Sequence, residues 1–169
     1  SNATEAKIGN TYYNTLLTAL NAAEENETIV LISNIDTTEA INILAGKKLV
    51  LDLNGKTITG TDNGTASYGL ITNKGDLTIT DSSEEAAGKI TLTATQNRGW
   101  NAYSSVISNT VGGKLTIEGG TIEHLGGTDM AYGIDNLTNG KGTYAETVIN
   151  GGTIKSTYRA IRQFLNGIE

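Results

Sequence analysis

Leu115-Thr116-Ile117-Glu118-Gly119-Gly120-Thr121-Ile122 is the stretch that decides how this chain folds. Two short runs of alternating apolar and polar residues meet at a glycine turn, and the pattern recurs. Lys56-Thr57-Ile58, Gly88-Lys89-Ile90 and Gly152-Thr153-Ile154 repeat its second half, so isoleucines fall at 58, 90, 122 and 154, each 32 residues apart. Leu51-Asp52-Leu53-Asn54-Gly55 and Thr147-Val148-Ile149-Asn150-Gly151 read as the same strand and turn as its first half. Leu77-Thr78-Ile79-Thr80 does too, followed by six extra residues within 81–87. A fixed period with insertions confined to a turn is the sequence form of a solenoid.

A third column precedes these strands: Ile71-Thr72-Asn73, Ile107-Ser108-Asn109, Ile134-Asp135-Asn136 and Ile161-Arg162-Gln163. Each period therefore holds three short strands. In Leu49-Val50-Leu51-Asp52-Leu53 the leucines face one side, with Val50 and Asp52 on the other. So short a strand cannot bury its apolar face alone. Stacking equivalent strands about 4.8 Å apart supplies hydrogen bonds and core together. The isoleucines then form a buried row. Asn73, Asn109, Asn136 and Gln163 form an amide ladder that satisfies backbone groups inside a turn. The fold class expected is all-β, a parallel β-helix of about four coils. Between Ile29 and Ile154 no helical period occurs, and glycines interrupt every stretch.

The N-terminus differs. Ser1-Asn2-Ala3 reads as the scar of a cleaved expression tag. Ala6 to Tyr13 predicts a small hairpin turning at Gly9-Asn10. Tyr13, Leu16, Leu17, Leu20 and Ala23 then share one face of an amphipathic helix ending near Asn26. Such a helix would cap the first coil, whose core and strand edges are otherwise open. The expected organisation is a tag scar at 1–3, hairpin, cap helix and first strand at 4–36, and coils at 37–169. Tyr158 to Gln163 begins another coil and the chain stops at Glu169, so it reads as a piece of a longer protein. Its open last coil offers a surface for end-to-end self-association.

Composition narrows the partners. The 169 residues carry a net charge of −6, with 21 Gly, no Pro and no Cys. Phosphate binding needs clustered Lys and Arg, so the balance speaks against nucleic acid. No apolar run is long enough for membrane insertion. Without cysteine there are no disulfides, no thiolate chemistry and no Cys-ligated metal. His124 is the only histidine, and one ligand makes no metal site. The sequence points to no cofactor.

Residues 9–60 carry a resemblance. The Tyr13-to-Ala23 helix pattern, the strand Thr28-Ile29-Val30-Leu31-Ile32 and the run Leu51 to Ile58 resemble the opening of pectate-lyase-like right-handed parallel β-helix domains. Such domains are common in surface proteins of Gram-positive gut bacteria, and the coil at 115–122 is similar too. The resemblance covers nearly all of the chain. It implies export to a secreted or cell-surface setting, and a family that includes adhesin-like modules as well as polysaccharide lyases and hydrolases. Fold alone does not choose among them.

The residues weigh against catalysis. Inverting hydrolysis needs two carboxylates about 6.5–9.5 Å apart. The outward column Thr72, Ser108, Asp135, Arg162 offers one, expected to form an exposed ion pair with Arg162. A lyase wants a Ca²⁺ site and a basic residue, yet Asp62, Asp81, Glu84, Glu85 and Asp129 fall on different turns. His124, in register with Leu92 and Ser156, reads as the end of a strand. A glycan surface is better supplied. Asn97, Arg98, Trp100, Asn101 and Tyr103 share one Gly/Asn-rich loop, and the loops at 61–67 and 125–131 should add Asp62 and Asp129 along the same edge. The plainer alternative has Trp100 folded over the coil edge as a lid, with Tyr68, Tyr132 and Tyr158 as a stacking ladder. The leading expectation is a non-catalytic extracellular β-helix module, adhesin-like or glycan-contacting. Its candidate carbohydrate-binding residues are Trp100, Tyr103, Arg98, Asn97 and Asp129, and its partner is a polysaccharide or host glycan. The alternatives are a fragment of a polysaccharide lyase or glycoside hydrolase, and a structural spacer.

Overall fold

The computed structural model describes residues 4–127, 129–138 and 143–164. The expected tag scar at 1–3 and the chain end at 165–169 lie outside them. A hairpin of β1 (Ala6–Ile8) and β2 (Thr11–Tyr13) opens the chain, followed by helix α1 (Leu16–Ala22). Three strands then come round five times. They are β3 (Glu27–Leu31), β4 (Ile35–Thr37), β5 (Ile41–Ile43); β6 (Lys48–Asp52), β7 (Thr57–Asp62), β8 (Tyr68–Asn73); β9 (Asp76–Thr80), β10 (Lys89–Ala94), β11 (Ser104–Asn109); β12 (Lys114–Ile117), β13 (Thr121–Leu125), β14 (Ala131–Asn136); β15 (Glu146–Ile149), β16 (Thr153–Ser156), β17 (Arg159–Gln163). The protein is thus mostly β, with three parallel sheets. Each strand hydrogen-bonds to its equivalent one round earlier and later: β3-β6-β9-β12-β15, β4-β7-β10-β13-β16 and β5-β8-β11-β14-β17.

The isoleucine row stands in register. Ile58 pairs with Ile90, Ile90 with Ile122 and Ile122 with Ile154, and the first three are wholly buried. The row begins one round earlier than expected, at Ile35 opposite Ile58. The first round, β3 to β5, therefore belongs to the stack, and the expected boundary at 36/37 cuts through β4. The turns of that round are short and lack the glycine motif that marks the later rounds.

One expected alignment slips. Leu49, not Leu51, stands opposite Leu77, and Leu77 opposite Leu115; Leu51 stands opposite Ile79, and Ile79 opposite Ile117. A shift of two residues keeps every side chain on its own face, so alternation cannot detect it. The surplus pair goes into the turn, where the buried Leu53 packs within reach of Gly88 and Gly120. Gly120 has φ +90°, and a side chain there would meet Leu53. The six-residue insertion leaves the register intact. It is held by Asp81, whose carboxylate accepts from the backbone N–H of Gly55, Gly88 and Ser83 and from the Ser83 hydroxyl. Burial pushes the Asp81 carboxyl up, but these donors outweigh it and hold it below its ordinary value.

The amide ladder forms from Asn73 through Asn136, while Gln163, in register with Asn136, is exposed. Asn73 Nδ2 donates to Asn109 Oδ1 at 3.0 Å and to Lys114 O at 2.9 Å. Asn109 Nδ2 repeats this toward Asn136 Oδ1 at 3.1 Å and Glu146 O at 2.8 Å. Each amide therefore ties a strand to the next round through side chain and backbone together.

The cap differs from expectation. The helix runs only from Leu16 to Ala22, because Thr15 caps it: its hydroxyl accepts from Thr18 N–H at 3.1 Å. Tyr13 is in β2 opposite Ala6, and Leu17 points to solvent at 59% exposure. Much of the edge protection comes from the hairpin, since β1 pairs antiparallel with β3 and extends that sheet. The helix adds Leu16, Ala19 and Leu20 to the core.

Candidate functional site

The loop between β10 and β11 carries most of the residues singled out from sequence, and the structure divides them into an anchor and a surface. Arg98 is the anchor. It is 2% exposed, not presented to a ligand as expected. Its Nη2 forms an ion pair with the Asp62 carboxylate. Nε donates to Ala66 O at 3.1 Å and Nη1 to Gln96 O at 3.1 Å. Its backbone N–H donates to Asp129 Oδ1 at 2.9 Å. Asp62 and Asp129 are thus engaged in holding Arg98. A long, always-charged side chain can be buried this fully only when its donors are met in this way.

The anchor continues inward. Ser104 Oγ donates to Asp62 Oδ2 at 2.8 Å, so His124 Nε2–H donates to Ser104 Oγ, also at 2.8 Å. This is not a nucleophile–base relay: the serine hydroxyl serves the carboxylate, and all three groups are buried. His124 lies opposite Leu92 and Ser156 as expected, with its side chain inside the stack. Burial lowers its pKa to about 4; the Asp62 charge opposes this and Arg98 adds to it. Its Nδ1 has no partner of normal hydrogen-bond geometry, although a weak contact with the Gly126 backbone favours the charged ring. The nearby Tyr68 hydroxyl is also buried without a partner, and burial, then the Asp62 charge, raises its pKa.

The surface is a groove of about 330 Å³ whose lining includes Ser67, Trp100, Asn101, Tyr103, Arg162 and Phe164. Trp100 is 88% exposed, so the lid reading fails. Arg162, outside the expected binding residues, lines the groove as well. Its Nε donates to Asp135 Oδ1 at 2.8 Å and its Nη2 to Oδ2 at 2.7 Å. This ion pair was expected to be exposed. Instead Asp135 has no exposure and the Arg162 side chain only 13%. The reason is aromatic cover: the guanidinium carbon lies 4.2 Å from the Tyr132 ring centre, 4.6 Å from Phe164 and 5.5 Å from Tyr103. Burial raises the Asp135 carboxyl despite Arg162, as the cost of desolvation outruns the attraction. Burial, then the Asp135 charge, raises the Tyr103 hydroxyl.

Strict alternation breaks here. Leu70 and Ile71 are both fully buried, as are Val106 and Ile107. The column also buries Ser105, whose hydroxyl meets that of Ser108 at 2.7 Å, and Tyr132 stands opposite Ser105. Tyr68 stands opposite Ser104 instead. The expected three-tyrosine ladder is thus only a pair, Tyr132 and Tyr158, edge to face at 5.8 Å.

Of the expected site residues, Trp100 and Tyr103 line the groove, while Asn97 is exposed but not part of its lining. Arg98 and Asp129 belong to the anchor. Arg162 was legible only as half of an ion pair, and nothing in the sequence ties Phe164 to a loop more than sixty residues earlier. Among the described residues no three potential metal-ligating side chains converge, and no helix is long and apolar enough to cross a membrane. No family model matches the chain, and neither a curated protein nor a solved structure is significantly similar to it.

Proposed function

We propose that this chain is a right-handed, pectate-lyase-like parallel β-helix from a secreted or cell-surface protein, and that it serves as a non-catalytic module contacting glycan through the Trp100 groove. The recurrence of the same three strand positions through five rounds supports the fold reading. The function rests on one observation: an indole 88% exposed to water stands beside Tyr103 and Phe164 around a fixed guanidinium. An isolated exposed aromatic needs no explanation, but a cluster around a polar group has the make-up of a sugar site. Flat rings take the sugar's C–H faces, and nearby amide and hydroxyl groups take its hydroxyls. Asp62 and Asp135, the buried carboxylates of this edge, are each committed to an arginine, which favours contact over acid–base chemistry.

Trp100 is the only tryptophan, so indole emission reports on this groove alone. On a glycan array the domain is expected to bind, the bound glycan to shift the emission to the blue, and Trp100→Ala to remove binding without changing the unfolding midpoint. Binding nowhere on the array, or binding that survives the substitution, defeats the reading. Release of reducing sugar or unsaturated uronate from a polysaccharide would replace it with an enzymatic one.

A further inference from the structure

From the way charge is distributed in the groove, we infer that it is a subsite for an uncharged pyranose, with the Asp135–Arg162 pair as its specificity element. The inference rests on the glycan-contacting reading above. Among the described residues Arg162 is the only charged one lining the groove, and it is already neutralised. Both its Nε and Nη2 are held by the two oxygens of Asp135. Rings of Tyr132, Phe164 and Tyr103 lie against the guanidinium, so it cannot turn toward a new anion without leaving them. A uronate or sulfate entering the groove would lose its hydration and find, among the described residues lining it, no free cation in return. It would also approach a chain of net charge −6.

A neutral sugar meets none of these costs. Its apolar face can lie on Trp100. Among the described residues Arg162 Nη1 has no hydrogen-bond partner, so its N–H groups are available to a hydroxyl or ring oxygen, and Asn101 and Ser67, both exposed, offer further polar atoms. The groove's size, about 330 Å³, lies at the small end of ligand sites and suits a short stretch of glycan rather than a long channel. Asp135 thus acts as a positioning residue: it holds the guanidinium in place and cancels its charge.

Calorimetric titration of the wild-type domain decides the matter, with cellohexaose, mannohexaose and xylohexaose set against hexagalacturonate and hexaguluronate at low and high salt. The expected result is binding of at least one neutral hexasaccharide, changed less than about twofold by salt and weakened about tenfold or more by Trp100→Ala. Asp135→Asn, which uncovers the guanidinium, is expected to bring in hexagalacturonate binding that high salt removes. If that variant does not fold, the wild-type comparison stands alone. Tighter binding of the acidic sugars, lost in Trp100→Ala, overturns the uncharged subsite while leaving the glycan reading in place. Failure of every oligosaccharide to bind removes both.

Discussion

Two aspartate–arginine pairs lie on the same edge of this molecule and do opposite things. Asp62–Arg98 is sealed: both residues are almost without exposure, and backbone carbonyls, Ser104 and His124 complete the network. Asp135–Arg162 sits at the rim, where aromatic rings cover the guanidinium and Arg162 lines the groove. The first pair fixes the position of a loop and the second shapes what that loop overlooks. The same two residue types thus act as anchor or surface according to what surrounds them. Charge identity alone says little about role.

The sharpest way to break this comparison is to cut each pair. Arg98→Ala leaves the Asp62 carboxylate buried without its counter-charge, and should cost about 3–5 kcal/mol in urea unfolding. Replacing both partners, with Asp62→Leu and Arg98→Met together, should recover most of that loss, since an apolar pair has no charge to strand. A loss below about 1 kcal/mol for the single change would remove the distinction between sealed and rim pairs.

The two pairs also differ in the sign of their pH dependence: burial raises the Asp135 carboxyl, so its contribution falls as pH rises, whereas that of the sealed network falls as pH drops. His124 ordinarily titrates near 6.5 and in the fold near 4. Between those values the unfolded chain binds the proton and the folded chain does not. The stability contributed by His124 is therefore full above about pH 6.5 and falls as pH drops toward 4, by roughly 3 kcal/mol. His124→Leu should flatten that slope, because Leu92 already occupies the equivalent place one round earlier. Unfolding curves across this range test it, and an unchanged slope in the variant would assign the acid loss to other groups.

Smaller effects belong to the rim. Arg162→Ala should cost about 1–2 kcal/mol, less than Arg98→Ala, because water can reach Asp135 once the guanidinium is gone. Trp100→Ala should stay within about 0.5 kcal/mol of wild type, as the indole packs on little. Thermal unfolding separates the two, and a large loss for Trp100→Ala would mean that the indole belongs to the core after all.

How far the sequence could be read follows the same division. The rows Ile58-Ile90-Ile122 and Asn73-Asn109-Asn136 were legible because equivalent positions repeat at a spacing that only stacking explains. The pairing of Leu49 with Leu115's row was not, because a two-residue slip conserves the face. The cap was half legible. Its hairpin and helix were both readable, but Tyr13 fits either element, and only pairing with Ala6 assigns it. At the site, Trp100 and Tyr103 were visible as aromatics in a polar loop. Arg98 looked the same as a ligand-binding arginine, since nothing local distinguishes an arginine that folds inward from one that faces out.

Residue order alone therefore determined the repeating strands, the buried aliphatic and amide columns, and the loop where the repeat gives way. These depend on periodicity, which is written along the chain. Only the tertiary structure decided that Arg98 is internal, that Asp135 is buried, and that Arg162 and Phe164 come round to meet Trp100. Burial and contact between distant rounds arise when the coils stack, and a local pattern carries no record of which side chain another round will cover.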